Sequence, residues 1–348
     1  MKKTMAKILA VLASVMLALS FAACGNNTDK TKVKVYMPDG APAIALAAFM
    51  ANNYDNTDFT IVNANTIAAH VAGKTADADL AIMPINAAAT LYNKGNDIVM
   101  LTVNTHGNLF IVGDGGNITL SSLVGKRLGV IGMGNVPDQV LRMLLDRSSI
   151  KYEVSDTAVD GKVALRYADD GGTLLPLLKQ GVVDYALLPE PAATTAVWNL
   201  NKSIVLDIQS AWNTKFGFEY PQACLVARGE FVDNNKAYVD KFINDLKAYD
   251  GWAENNPDKA FAALESHMED GVTSSFKTLN KGMVERCNIR TDYADDAKIY
   301  CEQYFVLLTT FETGTGTTAL DKIPSDGFYY GKKIRPPILN SELTSITH

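Results

Sequence analysis

The strongest constraint on the fold is a short pattern that occurs twice. Asp79-Leu-Ala-Ile-Met-Pro84-Ile-Asn-Ala-Ala88 aligns with Asp184-Tyr-Ala-Leu-Leu-Pro189-Glu-Pro-Ala-Ala193. Each copy follows a glycine-containing turn (Gly73, Gly181), runs as a short apolar strand, and ends in proline and small residues that open a helix. Upstream of each, a second strand feeds a glycine, a proline and a helix: Tyr36-Met-Pro-Asp-Gly40-Ala-Pro42 and Ile131-Gly-Met-Gly134-Asn-Val-Pro137. Two tandem α/β lobes with facing strand ends account for this repeat, although any βα unit shares some of it.

Elsewhere β-rich runs at 33–37, 59–62, 80–83, 98–103, 127–131, 163–167, 185–188 and 203–206 alternate with helical patterns. The helices are expected at 41–53, 66–72, 87–94, 138–147, 173–180 and 191–199. Such alternation predicts parallel sheets covered by helices. One more strand is expected at 222–228. Beyond it the pattern is almost wholly helical, over 235–254, 257–267, 274–286 and 293–310. The tail at 314–337, rich in Gly, Thr and Pro, reads as an ordered extended segment.

A length of 348 residues suggests about two domains, each large enough for its own core. A net charge of −6 without a basic run excludes a nucleic-acid partner. A mean hydropathy of +0.01 excludes a polytopic membrane protein.

The first residues read as a processing segment. Lys2, Lys3 and Lys7 precede an apolar run over 8–23, too short for the roughly 20 residues of a spanning helix. It closes as Phe21-Ala-Ala-Cys24, followed by polar residues, and resembles a bacterial lipobox with Phe where Leu is commoner. The expected organisation is a leader at 1–23, a lipid anchor on Cys24 and a tether at 24–31. A plain signal peptide with cleavage nearby is the alternative. Cys224, Cys287 and Cys301 remain: Cys287 and Cys301 could pair, or all three are buried small hydrophobes.

Three apparent signatures fail on inspection. Gly129-Val-Ile-Gly132-Met-Gly134 lacks the third glycine of a dinucleotide fingerprint, since Pro137 stands there. Ala72-Gly-Lys-Thr75 lacks the first glycine of a phosphate loop, because position 68 is Ala68. His70, His106, His267 and His348 have no metal spacing, and no G-x-S-x-G elbow exists. No catalytic constellation, metal or cofactor is expected. What survives is a set of strand-end loops leading into helix N-termini, where free N–H groups suit an anionic ligand group.

Together the lipobox, Pro84-Ile-Asn-Ala-Ala, Gly181-Val-Val-Asp-Tyr-Ala-Leu-Leu-Pro-Glu-Pro191 and Tyr220-Pro-Gln-Ala-Cys-Leu-Val resemble ABC-transporter solute-binding lipoproteins. The nitrate, taurine, alkanesulfonate and thiamine-precursor branch is the most similar, and Leu123-Val-Gly-Lys126-Arg-Leu-Gly-Val130 resembles that family's entry into its second lobe. The resemblance implies an α/β, two-lobed type II periplasmic-binding-protein fold, with a two-strand hinge joining mostly parallel sheets. Lobe 1 would comprise 32–105 and 224–348, and lobe 2 would comprise 106–223. It further implies a monomer on the outer face of the cell membrane that delivers a small-molecule ligand to an ABC permease.

Carried over, the resemblance places Asp39, Gly40, Ala41, Asn65, Thr66 and Asn86 in a cleft from lobe 1. Asn104 and His106 would lie at the hinge, and Met133, Gly134, Asn135, Asp169 and Glu190 would come from lobe 2. Tyr220 joins Tyr36, Tyr167 and Trp212 as a candidate stacking wall. Lobe 1 has no arginine cluster, and Asp39, Asp169 and Glu190 suggest donors on the ligand. A small nitrogen-bearing molecule is one expectation; a sulfonate or carboxylate held by helix N-termini is the other. An enzyme on the same fold and a surface adhesin remain open as further classes.

Overall fold

The computed structural model describes residues 32–73, 76–274, 276–313 and 317–331. The expected leader, Cys24 and the tether lie outside these residues, as do parts of the tail. Among the described residues, twelve strands form two six-stranded sheets. The first contains β1 (Val33–Pro38), β2 (Thr57–Val62), β3 (Leu80–Pro84) and β4 (Ile98–His106). The chain then crosses into the second sheet with β5 (Leu109–Gly113), β6 (Arg127–Ile131), β7 (Tyr152–Val154), β8 (Val163–Ala168), β9 (Tyr185–Pro189) and β10 (Ser203–Asp207). It returns to the first with β11 (Pro221–Arg228) and β12 (Ile289–Tyr293).

The orders are β12-β4-β11-β3-β1-β2 and β10-β5-β9-β6-β8-β7. Directions follow from the crossing. A strand that enters a lobe from the hinge starts at the end where the other strands finish. Accordingly β5 pairs antiparallel with β9 and β10, and β11 pairs antiparallel with β3 and β4. Around them β1 is parallel to β2 and β3, and β6 is parallel to β8 and β9.

The internal repeat has a physical basis here. Asp79 accepts the Lys34 backbone N–H at 3.0 Å and binds the Arg228 guanidinium at 2.6 Å. Asp184 accepts the Arg127 backbone N–H at 2.8 Å and binds the Arg127 guanidinium at 2.6 Å. In each lobe an aspartate just before the repeated strand pins the start of its parallel neighbour. Partly exposed pairs of this kind contribute little energy, so their work is to set register.

Several expected helices are shorter or broken. The segment at 41–53 forms Ala41–Ala45 and Ala47–Ala51, because Leu46 N bonds Ala43 O and tightens the turn. The segment at 235–254 breaks at Gly251, whose φ of 79° suits glycine. Among the described residues of 274–286, the helix is Lys281–Arg286, starting where the Asn280 side chain accepts Met283 N at 3.1 Å. The region after β11 is also not wholly helical, since β12 pairs with β4. The three cysteines are free and buried, and burial pushes their thiols up. Between them the lobes share an apolar cluster running from Met83 through Leu109 and Tyr304 to Val140. Among the described residues no helix is long and apolar enough to cross a membrane.

At the hinge β4 is flanked by a polar cluster. His106 Nε2 lies 3.0 Å from Asp292, and Arg290 binds both Glu219 (2.7 Å) and Asp292 (3.3 Å). Burial opposes the charge of Asp292. The His106 hydrogen bond, the charges of His106 and Arg290, and the Tyr300 hydroxyl outweigh it, pushing the carboxyl from 3.8 down to about 2. A depressed folded-state value means stability that is present above pH 4 and lost as pH falls toward 2. Denaturant unfolding at pH 4 and pH 2 should therefore show a drop about 2 kcal/mol larger in the natural chain than in Asp292→Asn. Equal drops would remove Asp292 from the acid response.

Candidate functional site

The carboxyl ends of the central strands of both sheets open onto one cavity of about 260 Å³. Lobe 1 lines it with Asp39, Gly40 and Ala41 after β1, Asn63 and Asn65 after β2, and Pro84 at the end of β3. Lobe 2 adds Asn135 after β6, Asp169 and Asp170 after β8, and Glu190 after β9. Its floor takes Asn108 from one hinge crossing and Gln222 from the other, while Val272 and Thr273 close one side. Six prolines stiffen the wall: Pro38, Pro42, Pro84, Pro137, Pro189 and Pro191. A larger groove of about 710 Å³ beside the helix Ile208–Phe216 gathers no comparable set of strand ends.

Seven expected positions therefore meet at the cavity: Asp39, Gly40, Ala41, Asn65, Asn135, Asp169 and Glu190. The other seven lie elsewhere. Thr66 is exposed and bonds Asn63 O. Met133 is 63% exposed on a loop tip. Asn86 reaches across the lobes, donating to Gly134 O at 3.2 Å and to Gln139 Oε1 at 3.1 Å. Asn104 is buried in β4, accepting from Thr102, and His106 belongs to the hinge cluster. Tyr220 is fully buried against Trp212, and burial pushes its hydroxyl up.

No stacking wall forms either. Trp212 is core, Tyr36 stacks on His70, and Tyr167 hydrogen-bonds Asp138. An aromatic residue in a doubly covered sheet is used first for packing.

Three of the helix N-termini at the cavity carry a carboxylate of the chain, whereas the short helix Ala41–Ala45 starts at Gly40 with no acidic residue and no side-chain cap. In Val136–Arg147 the buried Asp138 carboxylate accepts Gly134 N at 2.9 Å. In Gly171–Lys179 Asp170 caps Thr173 N at 2.8 Å. In Ala192–Leu200 Glu190 accepts Thr194 N at 3.0 Å and the Thr194 hydroxyl at 2.6 Å. Each of these three termini already holds one of the chain's own carboxylates, which takes up the partial positive charge. Glu190 also receives Arg286 Nε at 2.7 Å, so both its oxygens have partners. Among the described residues, the lining holds no Lys, Arg, His or aromatic side chain, against four carboxylates.

Asn108 and Gln222 were absent from the sequence expectation. Asn108 had a legible signal: it is the lone polar residue between Gly107 and the apolar run Leu109-Phe-Ile-Val. Gln222 had none.

No protein-family model matches the chain, and no curated protein matches it. Solved structures do. An ABC transporter structure from Parabacteroides distasonis aligns at TM-score 0.69 and 24% identity, covering 87% of this chain and all of that one. The periplasmic aliphatic sulphonate binding protein SsuA from Escherichia coli aligns at 0.59 and 13%, covering 85% and 98%. The ligand-binding component of an ABC-type import system from Staphylococcus aureus, with zinc bound, aligns at 0.55 and 15%, covering 81% and 91%. The chain has the two-lobed type II periplasmic-binding-protein fold, with the cavity between its lobes.

Proposed function

We propose that this chain is an extracytoplasmic solute-binding protein, anchored by a lipid on Cys24, that captures a small organic ligand between its lobes and delivers it to an ABC importer permease. The observation that carries this reading is the cavity itself, where strand ends of both lobes and both hinge crossings meet. Its chemistry also favours one of the two ligand classes left open by the sequence. A sulfonate or carboxylate is best held by cationic side chains, and the lining supplies carboxylates and amides instead; its uncapped helix start at Ala41 opens a helix of only five residues. Arg286, which bonds the lining residue Glu190, is committed to that carboxylate and to Thr194. A wall of one sign focuses ligands of the opposite sign, so a compact nitrogenous donor fits better.

Thermal unfolding of the purified protein against amines, amidines, nucleobases, amino acids and sulfonates tests this. A ligand at 100 times its Kd adds about 2.7 kcal/mol, enough to raise the midpoint by several degrees. Nitrogenous donors should give the shifts. Shifts from sulfonates alone would reverse the ligand class. A flat response across the panel, retained after denaturation and refolding to strip any bound molecule, would remove the solute-binding reading.

A further inference from the structure

Two side chains on the cavity floor have polar atoms that the fold leaves unsatisfied. Asn108 is 0% exposed and sits where the chain crosses from β4 to β5. Its orientation is set by its neighbours: Nδ2 donates to Cys287 O at 3.3 Å, and its backbone carbonyl accepts Glu190 N at 3.1 Å. Oδ1 is then left buried with no partner, on a residue that lines the cavity. Gln222, at the start of β11 on the other crossing, likewise has Oε1 buried and unpartnered on the same cavity. A buried carbonyl without a partner is costly, and a native structure that keeps one requires an explanation.

The surrounding groups do not supply one. Glu190 is saturated by Thr194 and Arg286, and the prolines of the wall carry no N–H. From this we infer that Asn108 Oδ1 and Gln222 Oε1 are the specificity-determining acceptors of the cavity, and that they receive N–H donors from an amine, amidinium, guanidinium or primary amide group of the ligand. The inference rests on the solute-binding reading and deepens it. The ligand group bonds to both chain crossings, so ligand recognition is seated at the hinge rather than on either lobe. With no aromatic wall the ligand is selected by its donors and compactness, not by stacking.

Calorimetry with defined probes tests this: acetamidine, guanidine and 4-aminopyrimidine as donors, taurine and MOPS as oxyanions. At least one donor probe should bind the natural protein. Asn108→Leu, close in volume, should weaken that probe about tenfold, as should Gln222→Met. Asn108→Asp should hold a cationic probe at least as tightly. Gln222 is the less buried of the two, so Gln222→Met keeps the test alive if Asn108→Leu fails to fold. A donor probe that binds all variants equally would overturn the role of these two residues and leave the cavity reading standing. Binding of taurine or MOPS alone would overturn the role of these two acceptors and the donor class, and leave the solute-binding reading standing. No binding by any donor probe would overturn the proposed donor class.

Discussion

Gly107→Ala should lower the unfolding free energy by about 3 kcal/mol. Gly107 lies between β4 and β5, at the first chain crossing. A Cβ there would fall 1.5 Å from Gln209 Oε1 and 2.6 Å from Tyr220 Cζ. Gln209 is flexible and can swing aside. Tyr220 cannot, because its ring is fully buried against Trp212. The added methyl must therefore displace the crossing itself, whose Gly107 carbonyl accepts Asn288 Nδ2 at 3.1 Å. Gly116→Ala, which meets open space, is the control and should change stability little. Chemical denaturation of both variants checks this; equal midpoints would mean that the hinge tolerates the methyl and that the packing there is looser than described.

Arg286→Met should be the second large effect, at about 2–3 kcal/mol. Breaking a buried ion pair by removing one partner costs roughly 3–5 kcal/mol, since the other charge stays buried. Glu190 is fully buried, but Arg286 is 40% exposed and Thr194 keeps its two bonds to the carboxylate, so the lower figure applies. The double variant Arg286→Met with Glu190→Gln should recover much of the loss, because no uncompensated charge remains. The pair also joins the lobes: Glu190 follows β9, whereas Arg286 ends a helix packed into the first lobe's core through Met283 and Val284. Its loss should increase the radius of gyration of the ligand-free protein in small-angle scattering. Additive effects in the double-mutant cycle, with unchanged scattering, would make the two residues independent.

Much of the fold was legible locally. The eight strands expected before residue 210 all form, and Arg127–Ile131 has the expected bounds, because alternation and apolar runs are set by near neighbours. The unread strands, β5, β7 and β12, were those whose identity depends on partners: β7 is a three-residue edge strand paired to β8. β5 is buried on both faces and has no alternation. β12 carries Arg290, Thr291 and Asp292 and exists as a strand through its pairing to β4. The helix Ile208–Phe216 was also missed, although Asp207 caps it and Gly217 ends it in the left-handed region.

The sequence by itself determined the two-lobe plan, since a repeated strand ending in proline and small residues requires a helix start at the same place in both halves. Seven of the positions it singled out meet at one cavity. Tertiary structure decided the chemistry there. Glu190 was expected to accept from a ligand and instead accepts from Arg286, 96 positions away. Three helix N-termini at the cavity hold Asp138, Asp170 and Glu190 in place of an anion, while the one at Ala41 is left uncapped. The two unpartnered acceptors come from crossings more than a hundred positions apart. Local pattern governs elements because backbone hydrogen bonds and caps join near neighbours. Which charges are spent inside the fold and which acceptors remain for a ligand depends on contacts that exist only once both lobes have closed around the hinge.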